Sequence, residues 1–348
     1  MNYRNIFITL SALSGTVTAS AWSAESATVA FLMPDQASTR YEQHDFPGFK
    51  AEMSKLCADC KVIYQNANAN ASLQQQQFNS VIAQGAKVIV LDPVDSSAAA
   101  ALVENAQAQG VKVIAYDRPV PDKPADFYVS FDNEGIGYAI AKSLTDHLKA
   151  SGVPQDAGVL QINGSPTDAA AGLIRDGIHR GLKESGYKTL AEFDTPEWAP
   201  PKAQEWTAGQ VTRFGDKIKG VVAANDGTGG GAIAAFKAAG VQPLPPVTGN
   251  DATIAALQLI IAGDQYNTIS KPSEIVAAAA AKVAVDFIQG KKPQASTTLY
   301  NTPSQLFTPE VVTAKNIKAE IFDKKSQTWD QVCSGEYAAA CQKLGISK

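Results

Sequence analysis

The chain has 348 residues, is 45% hydrophobic and carries a formal net charge of −4. That charge excludes the basic footprint of a nucleic-acid binder, and the length exceeds what one hydrophobic core usually holds, so two lobes are expected. Residues 1–24 read as a cleavable export signal and not as part of the fold. Arg4 precedes an apolar run over residues 6–17, and Ala19-Ser20-Ala21 gives the small-x-small spacing that signal peptidase reads. Cleavage after Ala21 or after Ala24 is equally open. No other segment approaches the ~18 apolar residues of a membrane span. Losing Arg4 with the signal makes the exported chain slightly more acidic.

From Thr28 onward, short β-branched runs alternate with longer helical patterns. In chain order the strand-like runs are 29–33, 62–64, 88–91, 111–116, 127–131, 159–162, 190–193, 221–224 and 266–269. Phe46, Phe49, Met53 and Leu56 form an apolar stripe at helical spacing, as do Ile136, Ile140, Leu144 and Leu148. Apolar strands separated by helices predict parallel sheets covered on both faces. Gly85, Gly110, Gly152, Gly186, Gly240 and Gly263 each stand where a helix should end.

The cadence breaks once. Run 127–131 follows its predecessor across 119–126, a proline-rich segment too short for a crossover helix, and a new βα series starts after Asp132. The chain is expected to pass between lobes there. It should pass again near Ser270-Lys271, ahead of the alanine-rich helix 273–289, and a third time within 293–300. The lobes are accordingly drawn as 27–131 plus 271–296 and 132–270 plus 297–325, with a tail at 326–348.

Four cysteines suit an oxidising compartment. Three pairings are open to them, and pairing within each close set, Cys57–Cys60 and Cys333–Cys341, is the simplest. Cys57-Ala58-Asp59-Cys60 ends a helical pattern, so it lacks the helix N-terminus that would activate a thiol. A structural disulfide is favoured there over a redox centre. His44, His147 and His179 are scattered, with none at ligand spacing, which argues against zinc.

Polar residues collect at the predicted carboxyl ends of strands, where open α/β sheets bind ligands. Asp117-Arg118 ends 111–116, and Asp132-Asn133 ends 127–131. A carboxylate beside a guanidinium offers acceptors and fixed donors together, which suits a ligand covered in hydroxyls. The alternative for Asp117-Arg118 is an ion pair closing the turn before Pro119. Asn225-Asp226 reads as a helix N-cap or as a pair of which one caps and the other faces a cleft. Asp251, after Gly249-Asn250, leaves the same choice.

A pyranose has an apolar C–H face that stacks on an aromatic ring, while its hydroxyls need edge-on hydrogen bonds. Arg40-Tyr41, after the first strand, and Trp198, in the proline-rich loop after 190–193, would place rings from opposite lobes on such a ligand. The glycines at 227–231 lack the Gly-Lys-Ser/Thr ending of a phosphate loop and the spacing of a dinucleotide fingerprint; close helix packing accounts for them. Asn163-Gly164-Ser165-Pro166 lacks the elbow of a serine hydrolase. Paired carboxylates for glycoside hydrolysis are not excluded by spacing, so a secreted sugar-processing enzyme stands as the alternative to a binding protein.

Six segments together resemble the periplasmic sugar-binding proteins of bacterial ABC importers, with the nearest likeness to the xylose-binding ones. They are Ala115-Tyr116-Asp117-Arg118, Phe127-Tyr128-Val129-Ser130-Phe131-Asp132-Asn133-Glu134, Asn163-Gly164-Ser165-Pro166-Thr167-Asp168, Ala224-Asn225-Asp226 with its glycines, Gly249-Asn250-Asp251 and Ser270-Lys271-Pro272. The resemblance runs from about Thr28 to Asp323. It implies an α/β fold of two doubly wound parallel-sheet lobes joined by a three-crossing hinge, the periplasmic binding protein type I fold. It implies a periplasmic, monomeric, non-catalytic protein without a cofactor. Such a protein captures a monosaccharide, xylose or a related aldose, and hands it to an ABC permease in the inner membrane; a chemoreceptor is a further partner for the closed form. The export signal, and the lack of a helix-turn-helix before Thr28, set the chain apart from the sugar-responsive repressors that share this core.

By the same resemblance the sugar contacts fall on Arg40, Tyr41, Asp117 and Arg118 from one lobe. Asp168, Trp198, Asn225 and Asp251 would come from the other, with Lys271 at a hinge crossing. Asp168 and Lys271 enter through the resemblance alone. Two features depart from the xylose binders: Tyr41 stands in place of tryptophan, and Ala169-Ala170 follow Asp168 in place of asparagines. The tail with Cys333 and Cys341 is not general to the group.

Overall fold

The computed structural model describes residues 26–348; the expected export signal and its expected cleavage site lie outside the described residues. The chain first alternates β1 (Thr28–Met33), α1 (Phe46–Leu56), β2 (Lys61–Asn66), α2 (Ala71–Ala83), β3 (Ala86–Leu91), α3 (Ala99–Ala108), β4 (Lys112–Tyr116) and β5 (Phe127–Phe131). A second series follows: α4 (Asn133–Ala150), β6 (Gly158–Asn163), α5 (Ala169–Ser185), β7 (Lys188–Asp194), α6 (Pro200–Phe214), β8 (Ile218–Ala223), α7 (Asp226–Ala238), α8 (Ile254–Ala262) and β9 (Asn267–Ser270). The chain ends with α9 (Ser273–Ile288), β10 (Thr297–Leu299), β11 (Thr302–Phe307), β12 (Glu310–Thr313), α10 (Trp329–Val332) and α11 (Ala338–Lys343).

The first sheet runs β10-β11-β5-β4-β3-β1-β2, parallel apart from β10. Successive side chains on a strand point to opposite faces, and here both faces are apolar. Val29, Phe31 and Met33 of β1, with Val88 and Val90 of β3, join Phe49 and Met53 of α1 and the alanines of α9. Ala30, Leu32, Ile89 and Leu91 turn the other way, onto Phe78 of α2 and Val103 of α3. Continuous apolar strands are therefore what a doubly covered sheet requires. Of the stripe predicted on α1, Phe49 and Met53 are buried but Leu56, at the helix end, is 41% exposed.

The second sheet is built the same way. β7, β6 and β8 are parallel, a bridge from Val221 to Val247 extends the sheet, and Tyr266 N donates to Val247 O ahead of the antiparallel pair β9-β12. The predicted stripe Ile136, Ile140, Leu144 and Leu148 covers one face with α5. α6 and α7 cover the other with Ala203, Ala232 and Phe236. The glycines after Asp226 serve close packing: a Cβ on Gly231 would come within 2.5 Å of Pro200 O.

The chain crosses between the two bodies after β5, after β9 and after β11, because β11 pairs in parallel with β5 whereas β12 pairs with β9. The expected third crossing within 293–300, and the assignment of 297 onward to the second lobe, are therefore corrected: residues 297–307 belong to the first sheet, and the passage lies between Phe307 and Glu310. Thr297–Leu299 and Thr302–Phe307 form a hairpin through Tyr300 and Asn301, both at positive φ. Polar composition and Pro303 concealed this strand; the proline sits outside the four residues that pair with β5, where its missing N–H is tolerated.

Both close cysteine pairs, Cys57–Cys60 and Cys333–Cys341, are bonded. The first follows the end of α1. The second locks a tail whose Val332 and Ile346 pack on Leu257 and Ile260 of α8. Among the described residues no helix is long and apolar enough to cross a membrane.

Candidate functional site

The carboxyl ends of β1 and β4 and the loops of the second sheet meet around one hollow. Beyond β1, Asp35 Oδ1 accepts from Ala37 N at 3.0 Å and turns the chain into a π-helical turn, Tyr41–Asp45, that leads into α1. This wide turn presents Arg40 and Tyr41 together, with the guanidinium 4.7 Å above the Tyr41 ring. At the end of β4, Asp117 takes a φ of +58°. That left-handed turn is pinned: Asp117 N donates to Val129 O at 3.0 Å, and its carbonyl accepts from Tyr128 Oη at 2.7 Å and Ser130 Oγ at 2.9 Å. Trp198 (φ +55°) and Asp251 (φ +108°) are also left-handed. Non-glycine residues hold such conformations at a cost of about 1–3 kcal/mol each, and they cluster at binding sites.

The charged side chains interlock. Arg40 reaches Asp45 at 2.8 Å, Asp117 at 2.5 Å and Asp251 at 3.9 Å. Lys271 reaches Asp251 at 2.9 Å and Asp117 at 3.8 Å. Arg118 turns away from Asp117 and contacts Asp35 at 2.8 Å, Asp168 at 3.2 Å and Asp92 at 3.3 Å, and donates to Pro93 O at 3.1 Å. An ion pair between Asp117 and Arg118 is therefore not what closes this turn. Asp168 caps α5 by accepting from Ala170 N at 2.8 Å, and accepts from Trp198 Nε1 at 2.9 Å. Gly164 makes room for that indole, since a Cβ there would lie 2.1 Å from Trp198 Cη2 and Cζ2.

Burial alone would raise every carboxylate here. At Asp117 the nearby Arg40, Lys271 and Arg118 outweigh burial and hold the group below its usual range. At Asp168, Asp45 and Asp92 burial wins over the facing arginines, and each is pushed up. Arg40 Nε, Arg118 Nε and Asn250 Oδ1 are buried yet have no well-aligned hydrogen-bond partner in the protein. Arg118 Nε remains ion-paired with Asp92 and Asp168, and Arg40 Nε stands 3.9 Å from Asp251.

All nine residues expected from the sequence, Arg40, Tyr41, Asp117, Arg118, Asp168, Trp198, Asn225, Asp251 and Lys271, line this hollow. Asn225 combines the two roles left open for it. Its Oδ1 caps α7 by accepting from Thr228 N at 2.8 Å, and the residue still lines the hollow, whereas Asp226 is turned inside. The lining also includes Ser38, Asn133, Ala170, Ile174 and Asn250. Asn133 stood at a strand end and Asn250 beside Asp251, so position alone pointed to both. Ser38 and Ile174 carry no such mark.

The two lobes also touch beside the hollow. Ser96 N donates to Thr167 O at 3.0 Å, and Ala169 N donates to Ser96 Oγ at 3.1 Å. With Arg118 against Asp168, these contacts hold the facing surfaces together around a space rimmed with acceptors, donors and two aromatic rings.

Known proteins share this arrangement of chain. The D-xylose-binding periplasmic protein of Escherichia coli (strain K12) is 36% identical over 339 residues, covering 94% of this chain and 100% of that one. The D-xylose-binding periplasmic protein of Haemophilus influenzae is 32% identical, covering 78% of this chain and 82% of its own length. The crystal structure of a carbohydrate transporter solute-binding protein from Chloroflexus aurantiacus in complex with D-glucose superposes with a TM-score of 0.79 at 26% identity, covering 88% of this chain and 98% of that one. The model of the periplasmic binding protein domain matches residues 29–292. With its two parallel sheets meeting around one polar hollow, the chain belongs to the periplasmic binding protein family.

Proposed function

We propose that this protein is the periplasmic solute-binding component of an ABC sugar importer. It captures a monosaccharide, xylose or a related aldose, between its two lobes and delivers it to the permease. The observation that carries this reading is the convergence of Arg40, Tyr41, Asp117 and Arg118 with Asp168, Trp198, Asn225 and Asp251 on one hollow, beside Lys271 at a crossing. The charged groups would hold the hydroxyls and the two rings would cover the apolar faces. Residues 27–131 with 271–307 form one lobe in this reading, and residues 132–270 with those from 310 onward form the other. The open form exposes the hollow, and closure follows because only the closed form makes contacts from both lobes at once. The protein acts as a monomer and performs no chemistry on its ligand; the closed form suits recognition by a permease and by a chemoreceptor.

Of the residues that depart from the xylose binders, Tyr41 and Ala170 line the hollow and bear directly on the choice of sugar, whereas Ala169 does not line it. A thermal-shift screen over pentoses, hexoses and polyols tests the proposal. A sugar at a hundredfold its Kd should stabilise the native state by about 2.7 kcal/mol, and should be recovered chemically intact. No shift with any sugar, or conversion of the sugar, refutes it.

A further inference from the structure

Asp226 opens α7, is 5% exposed and does not line the hollow. Its carboxylate nevertheless organises the segment that does. Oδ2 accepts from Thr253 N at 2.8 Å and Thr253 Oγ1 at 3.1 Å. Oδ1 accepts from Thr268 Oγ1 at 2.7 Å and Gln265 Nε2 at 3.2 Å. The Asp226 N–H donates to Asn250 O at 2.9 Å, so residues 250–253 are tied at both ends to one residue. Between the ties stand Asp251 at φ +108° and Ala252 at φ +51°. Side-chain-bearing residues keep such angles only where the surroundings over-determine them. Thr268 Oγ1, which donates to Asp226, also accepts from Ala252 N at 3.1 Å, and Asp251 N donates to Ile269 O at 3.0 Å.

Resting on the reading of the hollow as a sugar site, we propose that Asp226 is a positioning residue that fixes the Asp251 carboxylate for the ligand and makes that grip depend on pH. The charged group that acts on it through space is Asp251, itself paired with Lys271 at 2.9 Å and Arg40 at 3.9 Å. The contacts from α8, β9 and the turn before β9 are the neutral Thr253, Thr268 and Gln265. Burial, reinforced by the charge of Asp251, pushes Asp226 up to about 7. The neutral acid keeps its place because the threonine hydroxyls rotate to accept its proton. Seating a sugar against Asp251 takes water away from that carboxylate, which strengthens its repulsion of an ionised Asp226 and favours the neutral acid there. Binding then takes up a proton, and affinity falls as pH rises through neutrality.

Calorimetry with D-xylose and with D-glucose, from about pH 6 to about pH 8, compares the wild type with Asp226→Asn. The wild type should weaken several-fold over that range, and the variant should bind more weakly with a flat profile. Parallel profiles overturn the proposal while leaving the sugar reading intact. Binding of neither sugar by the wild type overturns that reading and this proposal with it. Asp226→Ala should lose more than about tenfold in affinity with unchanged far-UV circular dichroism; wild-type affinity in that variant overturns the positioning role. A carbon-13 titration of the Asp226 carboxylate in the ligand-free protein needs no sugar. A midpoint near neutrality that drops in Asp251→Asn supports the coupling, and a midpoint in the ordinary aspartate range overturns it.

Discussion

Gly164→Ala isolates the contribution of a single ring to the hollow. Gly164 does not occupy a positive φ, so alanine meets no backbone penalty there, and the effect comes from the added methyl alone. That methyl would sit 2.1 Å from Trp198 Cη2 and Cζ2, against an ordinary carbon–carbon contact of about 3.5–4.0 Å. The loop is held on both sides, Thr195 N donating to Gly164 O at 3.0 Å and Trp198 N donating to Thr195 O at 3.1 Å. The indole must therefore give way, by roughly 1.5 Å. A shift of that size breaks the 2.9 Å bond from Trp198 Nε1 to Asp168. Losing that hydrogen bond costs about 1.5–3 kcal/mol of stability, and because the displaced ring no longer covers a seated sugar, affinity should fall by roughly tenfold, about 1.4 kcal/mol. Calorimetry against the sugar that best stabilises the wild type measures it, with tryptophan emission reporting the displacement. Gly172→Ala is the control, since nothing lies within 4 Å of a Cβ there. Affinity in Gly164→Ala within twofold of the control would show that Trp198 does not grip the ligand.

Three further outcomes are expected. Asp251→Ala leaves Lys271 without its 2.9 Å partner, and should weaken sugar binding at least tenfold in calorimetry; unchanged affinity removes Asp251 from the site. His44 is raised by its hydrogen bond to Glu274 against burial, and Glu274 is lowered by that same bond. The histidine's contribution is complete below its ordinary range and lost as pH rises through its raised value, whereas that of Glu274 is lost as pH falls through its lowered one. The urea-melt advantage of wild type over His44→Gln should thus be largest at about pH 5–6 and fade by about pH 9; a gap that stays constant contradicts the pairing. Replacing both Cys333 and Cys341 by serine opens a loop of sequence separation 8 and should cost about 2–3 kcal/mol in urea melts, and a negligible loss would mean that the tail is held by packing alone.

The parallel strands were legible because a sheet covered on both faces demands uninterrupted apolar runs, and Val29, Phe31 and Ile89 supply them. The hollow was legible for a related reason: several runs stop on a polar pair, as at Asp117-Arg118, Asp132-Asn133 and Asn225-Asp226, and the ends of parallel strands share one edge of the sheet. Asp117, Asn225 and Asp251 were found by that rule. Residues contributed by helix faces were not. Ile174 lies on α5 and looks in the sequence like any other core position, yet it faces the hollow. The hairpin at 297–307 escaped because its strands are polar and carry Pro303. Its partner is a strand 176 residues earlier in the chain, Ser304 pairing with Tyr128, and pairing across that distance leaves no local periodicity.

The charges around the hollow make the sharper argument about selectivity. Arg40, Arg118 and Lys271 stand among Asp35, Asp45, Asp92, Asp117, Asp168 and Asp251, nearly all deeply buried. Buried ion pairs rarely add net stability, so their use here is to be explained by what they do to a ligand. Asp117 and Asp251 are held at left-handed φ by backbone bonds to Val129 and Ile269 on adjacent strands. Arg40 and Lys271 hold their oxygens in turn, so these acceptors adapt poorly to a ligand that lacks the matching hydroxyl. A sugar missing one hydroxyl leaves a desolvated charge short of a partner, a larger penalty than a missing apolar contact. Discrimination should accordingly be steep for removal or inversion of hydroxyls near the charged groups. It should be shallow for substituents that meet only Tyr41, Trp198, Ala170 or Ile174, because a ring face or a methyl distinguishes size and little else.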